Sequence, residues 1–200
     1  MRLRGVTQVA SPQDDLVLHD RLTHSMKVSG IGGTIARRLH RKCLDKLQEN
    51  TDPGHILSAA KERFANGDVS DCKTVGQVWG LEPEVIEAAG LAHDLGHPPF
   101  GHIGEKLLDS LARENGLDDG YEGNAQSFRI VNKLDEGYLA FGPQGTGLNL
   151  TRATLNSILK YPWLHGNRPP EKDDKWGSYD SEKIEFEFAR LNSRKGLSLE

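Results

Sequence analysis

The sequence has few cysteines, no long hydrophobic run and no excess of positive charge, and each absence excludes a class of protein. Its two cysteines, Cys43 and Cys72, are too few for a disulfide framework, so we expect a cytoplasmic protein. No window approaches the roughly 18 consecutive apolar residues of a membrane span, and the N-terminus MRLRGVTQVASPQDD lacks the apolar core of a secretory signal. The net charge of −4 gives no general attraction for nucleic acid, so an anionic substrate would need a metal ion or a few placed cations.

Apolar residues recur at helical spacing along most of the chain. Ile35 and Leu39, like the set Ile103, Leu107 and Leu111, are three or four residues apart, which predicts helices with these side chains facing a core. The predicted helices cover 33–50, 55–67, 81–97, 100–116, 123–134 and 151–161. Segment 184–188 alternates like a strand, but its flanks favour a helix; 165–179 is rich in Pro, Gly and charge and predicts an exposed loop. The chain is therefore predicted to form one all-α domain over 1–200, with a variable connector at 50–80.

The densest group of ionisable residues is HDLGHPPFGHIGE at 93–105. His93 and Asp94 diverge by about 100° on a helix, so they reach one ion most easily from a helix end. His97 is expected to share the face of His93, and His102 that of Glu105 on the next helix, which the Pro-Pro turn brings back. The alternative is a polar helix–turn–helix corner with surface histidines. Because the group is flanked by Ala and Leu rather than by charge, a functional site is the favoured interpretation.

A second, shorter group is RLTHS at 21–25, in which Arg21 and His24 are three residues apart and point the same way on a helix. An imidazole suits a divalent transition metal, and a guanidinium suits a phosphate oxygen. Taken alone, such a histidine is usually structural or solvated. Together with His93 and Asp94 it supplies a three-ligand set of nitrogen and oxygen atoms.

These residues carry a resemblance to a known family. His24 followed by the His93–Asp94 dipeptide is similar to the HD-domain metal phosphohydrolase pattern, which implies an all-α HD helical bundle. The surrounding segments resemble the deoxyguanosine triphosphate triphosphohydrolase family, the bacterial relatives of the vertebrate HD-domain dNTPases. The segments that match, in order, are TQV at 7–9, RLTHS at 21–25, HDLGHPPFGHIGE at 93–105, YEGNAQ at 121–126, GLNLT at 147–151 and KYP at 160–162.

The resemblance implies a reaction and a set of site residues. A deoxynucleoside triphosphate (dNTP) would be cut between its 5′ oxygen and α-phosphorus, with a divalent ion (Mg, Mn or another transition metal), giving a deoxynucleoside and tripolyphosphate. The implied metal ligands are His24, His93 and Asp94, and the implied catalytic pair is His102 and Glu105. The implied substrate contacts are Arg21 and Lys160 with Tyr161 beside them at the phosphates, and Gln8 and Val9 at the deoxyribose.

The chemistry of these side chains is compatible with the implied roles. The 5′ alkoxide is a poor leaving group, and a histidine such as His102 is a suitable proton donor near neutral pH, with Glu105 holding its other nitrogen. An apolar Val9 beside C2′ would leave a ribose hydroxyl unsatisfied. Two alternatives stay open: Lys160 could instead sit at a helix C-terminus, where the helix dipole favours a cation, and Gln8 could be an ordinary loop residue.

One departure from the family pattern affects the prediction. The HD pattern has a second aspartate as fourth metal ligand, downstream of the helix in the 180s, whereas Asp173, Asp174 and Asp180 precede that helix in a loop-like context. We therefore expect an N-terminal portion of the domain, truncated before its last metal-ligand helix, with a homo-oligomer implied for the full-length form. The alternatives are another HD phosphohydrolase, such as a nucleotidase or phosphodiesterase, and a non-catalytic HD module that binds nucleotides or nucleic acid.

Overall fold

The computed structural model describes residues 4, 20–48, 82–134, 147–172 and 174–190, with side chains in the first helix described as far as residue 42. These ranges form six α-helices and no β-sheet, which confirms the predicted all-α class. The helices are α1 (Arg21–Gln48), α2 (Pro83–Ala92), α3 (Gly101–Glu114), α4 (Gly123–Arg129), α5 (Arg152–Ile158) and α6 (Lys183–Arg190). None of these helices combines the length and hydropathy that crossing a bilayer requires.

The main helix pair is α1 packed along α2, and it brings the first turn of α1 to the C-terminal end of α2. A small residue permits the close approach, because a methyl group on Gly90 would lie 2.7 Å from the Cα atom of Ser29. Real Cβ atoms do not come that close to backbone, so any larger side chain here would push the two helices apart.

The hydrophobic core lies where α2, α4, α5 and α6 meet. Its buried members are Ala92, Phe128, Val131, Leu155, Ile158, Leu159 and Ala189. Helix α4 continues into a single π-helical turn, Ile130–Leu134, and α5 begins at Thr151, whose hydroxyl accepts the N–H of Thr154 as an N-cap. Helix α2 is therefore packed between α1 on one side and this core on the other.

Segment 165–179 differs from its predicted exposed state. Trp176 and Tyr179 are both 2% exposed and form a small second core with Ala125 of α4. Among its described residues the loop forms short 3-10 turns at His165–Asn167 and Pro170–Lys172, and Ser178 makes an isolated bridge to Leu164, so the prediction of irregular structure holds. Residues 166–167, 170–172 and 174 are exposed as predicted, whereas 176–179 are buried because Trp176 and Tyr179 pack against α4.

The apolar stripes of α1 and α3 also differ from prediction. Ile103 is 81% exposed and Leu107 is 61% exposed, and Ile35 and Leu39 of α1 are exposed as well. On α3 the inward face is polar instead, because Glu105 is the buried residue of this helix. The predicted helix at 55–67 and the connector at 50–80 lie outside the described residues.

Helix α2 ends at Ala92, five residues before the predicted boundary. The N–H of Gly96 does not continue the helix, because it donates to the side-chain oxygen of Ser127 at 2.9 Å. A Cβ atom on Gly96 would overlap backbone atoms of Ser127 and Gly123, so this turn needs glycine. His93 and Asp94 consequently leave the helix at its end, and His97 does not share a helical face with His93.

Candidate active site

Three metal-binding side chains meet where the first turn of α1 approaches the end of α2. Asp94 Oδ2 lies 3.7 Å from His24 Nε2 and 3.3 Å from His93 Nε2. Tetrahedral ligands with bonds of about 2.0 Å stand about 3.3 Å apart, so these spacings fit one small divalent ion. His93 Nδ1 lies 2.8 Å from the carbonyl oxygen of Gly90, and this contact holds the ring with Nε2 facing Asp94.

The electrostatics keep the aspartate of this group ionised. Burial alone would raise the pKa of Asp94, but the hydrogen bond from His93 and the charges of His93, His97 and His24 lower its pKa overall. The hydrogen bond with Asp94 in turn raises the pKa of His93 against the opposing effect of burial. Burial lowers the pKa of His97 against the opposing charges of Asp94 and Glu105. The group therefore offers one carboxylate and two imidazoles, a donor set that suits a divalent transition metal.

A second polar centre forms around Glu105 of α3. Its Oε2 atom lies 3.1 Å from His102 Nδ1 and 3.2 Å from Lys175 Nζ, and its Oε1 atom accepts the N–H of Gly123 at 2.8 Å. Burial would raise the pKa of Glu105, but these three donors lower it overall. The Glu105 side chain is 8% exposed and that of His102 is 83% exposed. A buried, ionised carboxylate thus orients an imidazole that is open to solvent.

Lys175 connects this centre to the start of α4. Its Nζ atom also lies 3.4 Å from Oε1 of Glu122, whose Oε2 atom caps α4 by accepting the N–H groups of Asn124 at 2.6 Å and Ala125 at 2.9 Å. Burial raises the pKa of Glu122. Burial lowers the pKa of Lys175, but the charges of Glu122 and Glu105 outweigh it and raise the value overall. One lysine therefore lies between two buried carboxyl groups and offsets part of their mutual repulsion.

Arg21 joins the two centres. Its guanidinium donates to the backbone carbonyl oxygens of His97 and Pro98, in the turn between α2 and α3. That turn reverses direction through Phe100 and Gly101, both of which have left-handed backbone conformations. As the Pro-Pro turn predicts, α3 returns toward His97, whose Nδ1 atom lies 3.9 Å from Glu105 Oε1.

Both centres open into one cleft of about 440 Å³. Its described lining residues are Arg21, His24, Asp94, His97, Gly101, His102, Glu105 and Lys160. A neighbouring cleft of about 630 Å³ also contacts His102 and Glu105, and its lining includes the cations Lys106, Arg113, Arg168 and Lys175 and the carboxylates Asp109 and Asp174. Arg113 is paired with Asp109, and Lys175 with Glu105, so the cleft beside the exposed imidazole carries charges of both signs.

The predicted site residues fall into three groups. The structure brings together the three ligand candidates, the His102–Glu105 pair, Arg21 and Lys160 around one cleft. Tyr161 is half-buried against Trp163, with ring centroids 5.5 Å apart, and is not among the described residues lining that cleft. Gln8 and Val9 lie outside the described residues.

Lys175 and Glu122 are not among the site residues predicted from the sequence. Lys175 occurs in the run KDDKW, which has the composition of a solvated loop, and only the adjacent Trp176 signals burial. Glu122 precedes a glycine and an asparagine at the start of α4, and a carboxylate at a helix N-cap was a signal that could have identified it.

Comparison with known proteins agrees with this geometry. The HD domain family matches residues 21–136, more than half of the sequence, and the chain belongs to that family. Within it, the chain is 34% identical over 189 residues to a deoxyguanosinetriphosphate triphosphohydrolase-like protein of Corynebacterium efficiens, covering 94% of this chain and 34% of that protein. It is 35% identical over 196 residues to the protein of the same name from Streptomyces coelicolor, with 94% and 36% covered.

A third relative comes from Deinococcus radiodurans. The deoxyguanosinetriphosphate triphosphohydrolase-like protein 2 of Deinococcus radiodurans is 37% identical over 166 residues, with 83% of this chain and 30% of that protein covered. The chain thus spans about a third of the length of the curated relatives it matches.

Proposed function

We propose that this chain carries the catalytic centre of a metal-dependent dNTP triphosphohydrolase, which releases a deoxynucleoside and tripolyphosphate. The observation that supports the proposal best is that a His–His–Asp ligand group and a buried-Glu–exposed-His pair face the same cleft. Similarity to proteins named as triphosphohydrolase-like supports the same choice of substrate. A cytoplasmic location and a homo-oligomeric full-length form belong to the same proposal.

His24, His93 and Asp94 would hold the divalent ion, Mg, Mn or another transition metal. When bound, such an ion supplies positive charge that polarises a phosphoryl oxygen and lowers the pKa of a coordinated water. Asp94 holds the negative charge that balances the ion, and the carbonyl of Gly90 fixes the ring orientation of His93.

His102 is the proposed proton donor. Glu105 binds its Nδ1 atom, which leaves Nε2 on the side open to solvent and substrate. Water adds to the α-phosphorus as the bond from phosphorus to the 5′ oxygen breaks, the proton from Nε2 passes to the departing oxygen, and the proton lost by the water is released to solvent, from which His102 is protonated again. The products are then a neutral nucleoside hydroxyl and tripolyphosphate.

The remaining substrate contacts are assigned by charge and position. Lys160 lines the cleft beside the ligand group, and Arg21 adds a second positive charge while holding the turn. Both would contact the triphosphate, with Tyr161 beside them. Gln8 and Val9 would contact the deoxyribose, with Val9 disfavouring a 2′ hydroxyl.

Product analysis tests the proposed reaction. The chain is incubated with dGTP and Mn²⁺, and phosphorus NMR then distinguishes tripolyphosphate from orthophosphate or pyrophosphate. Tripolyphosphate that disappears in Glu105→Gln but persists in Glu114→Gln, an exposed residue on the same helix, would support the proposal. Orthophosphate as product would favour a nucleotidase of the same family, and nucleotide binding without turnover would favour a non-catalytic module.

A further inference from the structure

A second group of metal-binding residue types lies outside the cleft and shares no residue with it. His165 Nδ1 lies 3.5 Å from Asp119 Oδ1 and 3.5 Å from Asp180 Oδ2. The three residues come from separate segments: the loop after α3, the 3-10 turn His165–Asn167 and the 3-10 turn Asp180–Glu182. Their ligand atoms all lie within 4.8 Å of one another.

A direct hydrogen bond does not account for the approach of the His165 ring to the two carboxylates. A direct N–H···O bond between a ring nitrogen and a carboxylate spans about 2.7–3.2 Å, and charge-assisted bonds are at the short end of that range. Both distances here are longer, and both carboxylates face the same nitrogen. His165 Nε2 is buried and has no hydrogen-bond partner among the described residues. A largely buried imidazole thus has neither nitrogen within ordinary hydrogen-bond distance of these carboxylates.

The spacing instead matches ligands around one small ion. Tetrahedral zinc ligands with bonds of about 2.0 Å are separated by about 3.3 Å, close to both measured distances. Backbone N–H groups also bind the second oxygen of each carboxylate. The second oxygen of Asp180 accepts the N–H of Gly166 at 2.9 Å, and the second oxygen of Asp119 accepts the N–H of Asp180 at 2.8 Å. Each carboxylate therefore has one oxygen fixed by the backbone and one directed at His165.

We propose that Asp119, His165 and Asp180 form a second binding site, for a divalent transition ion of the zinc class. One imidazole and two carboxylates suit zinc, and three protein ligands leave a position for water. Such an ion would tie the loop after α3 to both ends of the segment that carries Lys175 and Trp176. Its role is structural, since it anchors the segment that places Lys175 beside Glu105.

The test disables the His24–His93–Asp94 group by substitution and counts the zinc that the chain still retains. The chain with Asp94→Asn is loaded with zinc, passed through a desalting column and analysed for metal by mass spectrometry. We expect one zinc per chain to remain, and we expect it to be lost when Asp180→Asn is added. Cobalt(II) replacing this zinc should show the intense visible absorption bands of a tetrahedral ion, and these bands should disappear in the double variant.

Asp180→Asn is the suitable variant because Asp180 is 45% exposed and the asparagine oxygen still accepts the N–H of Gly166. Asp118→Asn, an exposed neighbour in the same loop, is the matched control and should keep its zinc. If the double variant does not fold by circular dichroism, Asp119→Asn takes the place of Asp180→Asn. A folded Asp94→Asn chain that retains no zinc, or equal zinc with and without Asp180→Asn, overturns the proposal. The metal count does not depend on turnover, so it is separate from the test of the dNTP reaction.

Discussion

Replacing Lys175 with methionine should destabilise the fold more than any exposed lysine substitution in the same segment. The side chain is 20% exposed and holds Glu105 and Glu122, whose side chains are 8% and 1% exposed. Methionine fills similar space but leaves two buried carboxylates without their cation. Removing one partner of a buried ion pair costs about 3–5 kcal/mol, and the partial exposure of Lys175 places the expected loss in free energy of unfolding at about 3 kcal/mol.

The expected loss depends on pH in a defined direction. The pKa of Glu105 is lowered in the fold, so its ionised form stabilises the chain above its ordinary value of 4.5 and this contribution disappears as pH falls. The pKa of Glu122 is raised, so its ionised form costs stability that is recovered at low pH. The pKa of Lys175 is raised from 10.5, so its contribution is complete at neutral pH. Without this lysine both carboxyl groups take up protons more readily, so the penalty should shrink near pH 5.

Urea denaturation followed by circular dichroism measures the loss. With a slope of about 2 kcal/mol per molar urea, a loss of about 3 kcal/mol moves the midpoint down by about 1.5 M. Lys172→Met, an exposed lysine in the same segment, serves as the control and should leave the midpoint unchanged. A loss below about 1 kcal/mol near neutral pH, or one that does not diminish near pH 5, would refute the assigned role of Lys175.

Three further substitutions probe other parts of the structure. His102→Gln should keep the metal content of the chain and lower turnover by roughly 100-fold, the usual scale for a general acid, and metal loss would contradict its assignment. Gly96→Ala should lower the free energy of unfolding by about 3 kcal/mol, because the added methyl group meets backbone of α4; a thermal melt that matches the unmodified chain would contradict the close approach. Arg129→Met should cost about 3 kcal/mol because it leaves Glu182, 1% exposed, without its cation, whereas Lys183→Met on the exposed surface should cost little.

The helices and the grouping of the main site residues could be predicted from the sequence. Helical spacing and a capping threonine are local signals, and they located α3 and α5 within a few residues, whereas α1 begins at Arg21, twelve residues before its predicted start. The segment HDLGHPPFGHIGE places its ionisable groups on both sides of one sharp turn, so their proximity follows from short-range geometry. The structure agrees, with the His102–Glu105 pair and Asp94 lining one cleft.

Burial could not be predicted in the same way, because it depends on contacts between distant segments. The apolar stripe of α3 was expected to face the core, but a buried glutamate turns the polar face inward, where Gly123 and Lys175 satisfy it. The position of Lys175 depends on a long loop that folds back onto α4 through Trp176. The charge-rich composition of this loop gave no indication that it folds back onto α4.

The contact between Arg21 and the turn at His97 has a mechanical consequence. Arg21 and His24 lie on the same turn of α1, so one helical turn carries a proposed metal ligand and also holds the backbone that leads to α3. A substitution that shifts this turn would therefore disturb the proposed ligand group and the start of α3 together.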